Sequence, residues 1–217
     1  MSTHYPYAYP PEFERHTPAL PPGENKGWMP QQVEMLRNRY WNAAGFLDHA
    51  IGDLVSSVDS TRTVFLVTGD HGEGLMDDGA VAHASRPSEF QSRAPFLMVG
   101  PGVTPAAIDA ATVHSDAAPT LLHALTGHSV SIAGVQGRDL LGPFQPEKTL
   151  LMIPSMGMGK MDHLVLMRGG ERLLVQYSAK GPKITALGFI DEAGHPCIPA
   201  GYRHNPPSDW IAAFRDR

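Results

Sequence analysis

The feature that most constrains the fold is a short apolar run that ends in a glycine-rich turn. Residues 63–68 read Thr-Val-Phe-Leu-Val-Thr, and residues 69–74 read Gly-Asp-His-Gly-Glu-Gly. So short a run of apolar and β-branched residues is typical of a strand buried on both faces of a parallel sheet. Ligands bind beyond the carboxyl ends of the strands in open α/β sheets, so the turn lies where a site is expected.

The pattern around this strand predicts an α/β arrangement. Residues 1–30 are rich in proline and predict an extended loop, because proline at this density forbids a helix. Apolar residues at spacings of three and four then predict a helix over 31–58. Residues 95–99 predict a second buried strand, and residues 115–126 predict another helix.

The remaining third of the chain has a different pattern. Short strand-like runs separated by a Gly-Pro turn predict a small antiparallel sheet. We therefore divide the chain into an α/β portion, residues 1–145, and a small antiparallel subdomain, residues 146–217, which ends in a loop and a short helix. The four predicted strands are 149–153, 163–167, 172–176 and 183–189.

Composition excludes several classes of function. Apolar residues make up 42% and charged residues 18% of the 217 residues, which is enough for a hydrophobic core. The net charge of −5 comes without a basic stripe, so the sequence predicts no nucleic-acid partner. No apolar run reaches the roughly 18 residues of a membrane-spanning helix. The 11 histidines indicate metal binding or proton transfer, because imidazole suits both roles.

Asp70 and His71 place a carboxylate and an imidazole at the predicted strand end. Oxygen and nitrogen donors of this kind form half of a site for zinc, manganese or magnesium-like ions. The same residues are compatible with an ordinary turn capped by an aspartate, and their spacing alone favours neither interpretation.

Several motifs in a fixed order decide between these interpretations. The run 63–73, His83, the segment 93–96 and the segment 114–122 resemble the C-terminal signature of the sulfatase branch of the alkaline phosphatase superfamily. That branch includes sulfatases, lipoteichoic acid synthases and phosphoethanolamine transferases. The resemblance covers residues 1–126 and implies a three-layer αβα fold with a mostly parallel sheet, present here in part. Two other stretches match the same branch, residues 40–52 in the predicted helix and residues 4–7 near the N-terminus.

The resemblance also implies roles for four residues. Asp70 and His71 are the expected ligands of a divalent metal ion, whether Mn, Zn, Ca or Mg. His83 is expected to face the phosphate or sulfate group or to bind a second metal ion, and His4 is expected to do likewise from the other side. The implied substrate is a small anionic ester or a lipid head group. Read without the family, His83 is a surface histidine, and Glu73 is an outer-shell residue or the start of a helix.

The chain departs from the family at the nucleophile. The family places a threonine, serine or modified cysteine upstream of the Asp-His-Gly turn, but the residues before Asp70 contain no strand–turn–helix able to present one. Cys197 has Pro199 two residues on but Gly201 where the sulfatase signature needs arginine, and it lies downstream. We therefore expect an N-terminal half to be missing, or to come from a partner or an oligomer, and we expect this chain alone to be inactive.

Two functions follow as expectations. The first is that the parent protein is a metal-dependent hydrolase or transferase acting on phosphate or sulfate esters. The alternative is a catalytically inactive metal- or anion-binding domain, or a scaffold. The sequence does not fix a compartment, although the resemblance to envelope-acting relatives favours a bacterial membrane-anchored or periplasmic parent.

Overall fold

A computed structural model describes residues 3–24, 29–85, 87–143, 151–157, 160–178, 183–197 and 210 of the protein. Within them the chain forms helices and strands in the mixed order of an α/β protein. Their bounds are α1 Val33–Ser56, β1 Phe65–Thr68, β2 Gly74–Leu75, β3 Val81–Ala82, α2 Glu89–Ser92, β4 Phe96–Val99, α3 Ala117–Thr126, β5 Leu151–Gly157, β6 Lys160–Arg168, β7 Glu171–Ser178, β8 Lys183–Ile190 and β9 Pro196–Cys197.

The long helix α1 and the segment that precedes it form one core. The predicted helix over 31–58 is confirmed within two residues at each end. Leu36 and Ala43 of α1 are buried against Tyr7 and Leu20, which come from the proline-rich segment. Leu75 of β2 completes this cluster. The N-terminal segment is irregular, as predicted, but it packs on the helix because it contributes two fully buried apolar side chains.

Polar side chains of α1 fix that irregular backbone. Buried loops need partners for their peptide groups, and here a helix supplies them. Asn42 is buried, and its side chain bonds to the peptide groups of Arg15 and His16 at 2.8–3.0 Å. Arg39, also buried, donates to the carbonyls of Pro6 and Leu20 at 2.6 and 2.7 Å. The N-terminal segment is thereby held in one position relative to α1.

Strands β1 and β4 form a two-stranded sheet whose direction corrects the prediction. They pair antiparallel, with Phe65 opposite Val99 and Thr68 opposite Phe96, where a parallel arrangement was expected. The exposed fractions of Leu97 and Val99 are 60% and 64%, so β4 is not buried on both faces in the described part of the chain. An apolar run reports the tendency of a strand to be buried, but it carries no information on direction, which depends on the connection between the strands.

The connection between β1 and β4 contains the β2–β3 hairpin and the single-turn helix α2. After β4 the chain runs through a loop into α3, which confirms the helix predicted at 115–126 and is preceded by a 3-10 turn at His114–Asp116. Asp116 is fully buried and pairs with Arg138 at 2.8 Å, so the loop that follows α3 is fixed to its first turn.

The predicted small antiparallel sheet is confirmed and forms a meander in sequence order, but it has five strands in the described residues where four were predicted, because β9 at Pro196–Cys197 was not expected. Apolar side chains cover both of its faces. Leu166, Leu173, Val175 and Phe189 pack with Trp210 on one face, and a smaller cluster around Val165 lies on the other. Apart from Trp210, which is helical, the predicted C-terminal loop and helix at 199–217 lie outside the described residues. The proposed boundary at residue 145 stays a prediction.

The sheet of β5 to β9 contacts the α/β portion at the helix α2. Arg172 of β7 forms an ion pair with Glu89 of α2. The amide of Glu89 also donates to the carbonyl of Glu192 at 2.9 Å. No helix in the described residues is long and apolar enough to cross a membrane.

Candidate metal and anion site

The turn after β1 is held close to α2 by a glycine. The amide of Gly72 donates to the carbonyl of Gln91 at 2.9 Å. A Cβ atom at Gly72 would lie 2.3 Å from the carbonyl oxygen of Phe90 and 2.9 Å from that of Arg93. Only glycine fits this approach, so Gly72 sets the path of the turn that presents its neighbours.

A buried carboxylate supports the other side of the same loop. Asp78 is 1% exposed and accepts hydrogen bonds from the Gln91 side chain and the Ala80 amide, both at 2.9 Å, and from the Ser88 hydroxyl. The side-chain oxygen of Gln91 in turn accepts from the Ser85 amide at 2.9 Å. This network surrounds the short strand β3, which leads directly to His83, so that histidine starts from a fixed backbone.

Asp70 and His71 lie side by side in the turn. The Asp70 side chain is 83% exposed, and its Oδ2 lies 3.8 Å from Nε2 of His71. Nδ1 of His71 lies 2.7 Å from the carbonyl oxygen of Gly72. A carbonyl only accepts hydrogen bonds, so in neutral His71 the proton is on Nδ1 and Nε2 carries the lone pair. A lone pair and a carboxylate oxygen therefore face the same small space, as two ligands of one cation do.

His83 lies against His71. The centroids of the two rings are 4.0 Å apart, and the rings are inclined by 31°. Nδ1 of His83 lies 3.4 Å from both carboxylate oxygens of Glu73, whose side chain is only 5% exposed. His83 is therefore part of the same cluster as His71, and Glu73 is its side-chain partner.

His4 reaches the cluster from the N-terminal segment. Its ring centroid lies 5.3 Å from that of His83. The carbonyl of His4 accepts a hydrogen bond from the amide of Tyr7 at 2.8 Å, and the Tyr7 side chain is fully buried in the α1 core. Packing against α1 thus places His4 beside His83, although the two residues are far apart in sequence.

The electrostatics centre on Glu73. Burial raises the pKa of Glu73, and the charges of His83, His71 and His4 partly oppose that rise. Burial, with the charge of Glu73 as a second cause, raises the pKa of Tyr7 and of Tyr40. Three imidazoles and two phenols therefore surround one carboxylate.

The structure also identifies a contact that the sequence did not indicate. His114 and Asp116 read as a packing and capping pair before a helix. Asp116 does accept from the Val113 amide at 3.0 Å, but Nε2 of His114 lies 2.6 Å from the carbonyl oxygen of Gly69. His114 thus holds the residue next to Asp70, across 45 positions of sequence. No local pattern predicts such a contact.

The cluster fits a divalent metal ion in part. Among the described residues, no group of three or more His, Cys, Asp or Glu side chains converges closely enough to hold a metal ion. Asp70 and His71 nevertheless supply one oxygen and one nitrogen donor with the correct tautomer, which is the chemistry of half a site. The assignment of both residues as ligands, and of His83 and His4 to the substrate, stays a prediction.

Comparison with known proteins identifies the family of the chain. Residues 1–128 match the Sulfatase family, and the chain belongs to that family. Over 95 residues it is 30% identical to a choline-sulfatase of Rhizobium meliloti (strain 1021), a match that covers 42% of this chain and 18% of that enzyme. The chain thus spans less than a fifth of this curated relative.

A solved structure shows the same fold. It comes from work on the metabolism of multiple glycosaminoglycans by Bacteroides thetaiotaomicron. It superposes with a TM-score of 0.55 at 17% identity, covering 75% of this chain and 38% of that one.

Proposed function

We propose that this chain supplies the metal- and anion-binding part of the active site of a sulfate-ester hydrolase. The proposal rests on the position of His71 between two other residues. Its Nε2 atom lies 3.8 Å from Oδ2 of the exposed Asp70, and its ring centroid lies 4.0 Å from that of His83. Membership of the Sulfatase family supports the reaction class.

Asp70 and His71 are the proposed ligands of a divalent metal ion. Their neighbouring carboxylate oxygen and imidazole nitrogen, 3.8 Å apart, suit an ion that prefers oxygen and nitrogen ligands. A bound metal ion supplies charge stabilisation for the ester oxygens and lowers the pKa of a coordinated hydroxyl. Within this chain, His114 and Gly72 fix the turn from which both ligands project.

His83 and His4 are the proposed anion-facing groups. Nδ1 of His4 lies 2.8 Å from the carbonyl oxygen of Tyr5, and Nδ1 of His83 faces Glu73, so in both rings Nε2 is left to meet a ligand. Sulfuryl transfer spreads negative charge over the equatorial oxygens, and adjacent imidazoles stabilise that charge in their protonated form, in which Nε2 also carries a proton and donates a hydrogen bond. In that form His83 is the proposed proton donor to the leaving oxygen.

We further propose that the nucleophile comes from polypeptide that this chain does not contain, and that β1 and β4 belong to a larger mixed sheet in a three-layer αβα fold. The small fractions of the relatives that the chain spans support both points. An antiparallel pair within a mostly parallel sheet is common in large α/β proteins. The choline-sulfatase relative supports a small sulfate ester as substrate.

The test is to measure anion binding and turnover with the purified chain. We expect inorganic sulfate to bind more tightly in the presence of Mn²⁺ or Zn²⁺, and His83→Ala to weaken that binding. We expect no turnover of p-nitrophenyl sulfate or p-nitrophenyl phosphate by this chain alone. Metal-independent sulfate binding that survives His83→Ala would refute the site, and robust turnover would refute the missing nucleophile. Tighter binding of phosphate than of sulfate would move the proposal to phosphate esters.

A further inference from the structure

We propose that Glu73 is a positioning residue that fixes the ring orientation and the tautomer of His83. The role of His83 itself rests on the proposed function. Glu73 does not need to touch the ester for this purpose, because it acts on the far side of the imidazole. The inference assigns a task to a buried carboxylate that metal binding by Asp70 and His71 leaves unexplained.

The contact between Glu73 and His83 has a symmetric geometry. Both carboxylate oxygens of Glu73 lie 3.4 Å from Nδ1 of His83. Such a symmetric approach places the Nδ1–H between two acceptors, and an ionised carboxylate has no proton to donate. The contact therefore favours the tautomer with the proton on Nδ1 in the neutral ring, so that protonation of the ring adds its proton at Nε2, on the ligand side, where the proposed function needs a donor.

The Glu73 side chain is more deeply buried than the imidazole that it contacts. Only 5% of the Glu73 side chain is exposed, so solvent competes little for its oxygens, whereas 27% of the His83 side chain is exposed. Hydrogen bonds to ionised groups are about twice as strong as neutral ones, and low exposure strengthens them further. A buried acceptor paired with a partly exposed ring suits the task of holding that ring.

The neighbouring ring of His71 is held in a different way. His71 is held at Nδ1 by the carbonyl of Gly72, a backbone group that no substitution removes. His83 is held at the equivalent atom by one side chain. The centroids of the two rings lie 4.0 Å apart, but His71 has the Gly72 carbonyl at Nδ1 and Asp70 near Nε2, whereas the hydrogen bond to Glu73 is made by His83. His71 is therefore an internal control for any change made at Glu73.

The experiment is to assign imidazole tautomers by ¹H–¹⁵N NMR of the full chain without metal or anion. It is run at about pH 8.5, well above the ordinary histidine pKa of about 6.5. We expect the Nδ1–H tautomer at His83 and at His71 in the wild type. Glu73→Ala is expected to lower the ratio of Nδ1–H to Nε2–H at His83 by about tenfold, the loss expected for a hydrogen bond to a charged acceptor. His71 is expected to stay unchanged in that variant.

Two further variants sharpen the result. Glu73→Gln keeps the size of the side chain but offers Nδ1 an NH2 donor as well as an acceptor oxygen, so it should also lower the ratio of Nδ1–H to Nε2–H at His83. Glu12→Ala removes an exposed carboxylate and should change neither ring. Where Glu73→Ala disturbs the His71 signals as well, Glu73→Asp, which withdraws the carboxylate by one methylene, takes its place with the same expected direction.

An Nε2–H tautomer at His83 in the wild type would overturn the inference, as would an unchanged ratio in Glu73→Ala. This outcome is separate from the proposed function, because the tautomer is measured without a ligand. If the chain does not bind sulfate, the measured tautomer of His83 remains valid, but it no longer supports a catalytic role for His83. If His83 has the Nε2–H tautomer, the positioning role of Glu73 is refuted, whereas the proposal of metal binding by Asp70 is unaffected.

Discussion

Asp70 and Glu73 are carboxylates in one turn, three residues apart, and the protein treats them in opposite ways. The Asp70 side chain is 83% exposed and the Glu73 side chain is 5% exposed. Asp70 faces the Nε2 atom of His71, whereas Glu73 faces the Nδ1 atom of His83. The two carboxylates thus contact different imidazoles, at different ring nitrogens.

This difference in exposure suits the two different roles that we propose for the carboxylates. A ligand for a metal ion must keep its lone pairs accessible, so exposure at Asp70 is consistent with binding. An orienting group must exclude competing water, so burial at Glu73 is consistent with positioning. The comparison makes separate predictions for the two ends of the turn.

The largest effect is expected for Asp70→Ala on metal affinity. Loss of a direct ligand should weaken the binding of Mn²⁺ or Zn²⁺ by about 100-fold or more, since even outer-shell changes cost 10–100-fold. The free energy of unfolding should change by less than about 0.5 kcal/mol, because the side chain is exposed. Isothermal titration calorimetry and urea unfolding measure the two quantities.

Asp53→Ala is the matched control for this prediction. Asp53 is 74% exposed, and its Oδ2 lies 3.5 Å from Nε2 of His49 on α1, so the pair resembles Asp70 and His71 in exposure and distance. It has no second imidazole stacked on it in the contacts of the described residues. Equal loss of metal affinity in the two variants would show that any exposed Asp–His pair binds the ion, and it would refute a specific metal site at Asp70 and His71.

Gly72→Ala is expected to have the next largest effect, because it disturbs both ends of the turn together. The added Cβ would meet the carbonyl oxygen of Phe90 at 2.3 Å, so the loop must shift. Overpacking of this kind costs about 1–3 kcal/mol of unfolding free energy. Gly45→Ala in α1 is the control, since nothing lies within 4 Å of its Cβ position, and it should stabilise by roughly 0.5–1 kcal/mol. Thermal unfolding of both variants checks the signs.

The pH dependence of stability tests the buried end alone. Burial raises the pKa of Glu73 above its value in the unfolded chain, near 4.3. The protonated form is thus favoured on folding, and this contribution is present at low pH and is lost as the pH rises through the raised pKa. Relative to Glu73→Gln, the wild type should therefore lose unfolding free energy as the pH rises above the unfolded pKa of about 4.3, by about 1.4 kcal/mol for each unit by which folding raises the pKa.

Urea unfolding at several pH values measures this difference, and Glu12→Gln provides an exposed control that should show no such trend. A wild type that gains stability over Glu73→Gln as the pH rises would mean that the three histidines outweigh burial. In that case the carboxylate is ionised throughout and serves as an ion-pair partner.

The sequence was sufficient for the local elements and insufficient for their assembly. The apolar periodicity of α1 and the short apolar runs of β1 and β4 predicted their positions, because helix and strand formation follow local patterns, whereas the burial expected for β4 on both faces did not follow. Strand direction did not follow, since it depends on a connection whose path is set by contacts such as that of Gly72 with Phe90. The meander of β5 to β9 followed because short strands joined by turns leave little choice of neighbour.

The site shows the same division. The glycine-rich turn after a predicted strand indicates Asp70 and His71 as candidate ligands. The order of motifs shared with the family indicates His83 and His4 as further site residues. The sequence predicts that Glu73 is either an outer-shell residue or a helix start, and the structure excludes only the helix start, because Gly74–Leu75 is a strand. Its role depends on burial, which no single position in a sequence reveals.

The smallest change in the free energy of unfolding is expected for a substitution on the exposed apolar face of β4. Leu97 on β4 is 60% exposed, so Leu97→Lys should change the unfolding free energy by less than about 0.5 kcal/mol. It should nevertheless reduce self-association, because β1 and β4 form a sheet of two strands in the described residues, and apolar strands with open edges pair with other chains. Leu125 on α3 has nearly the same exposure, 61%, but lies on a helix, so Leu125→Lys is the control and should leave association unchanged. Sedimentation velocity of the wild type and both variants decides the point: a wild-type chain that sediments as a clean monomer would show that the exposed face of β4 needs no partner.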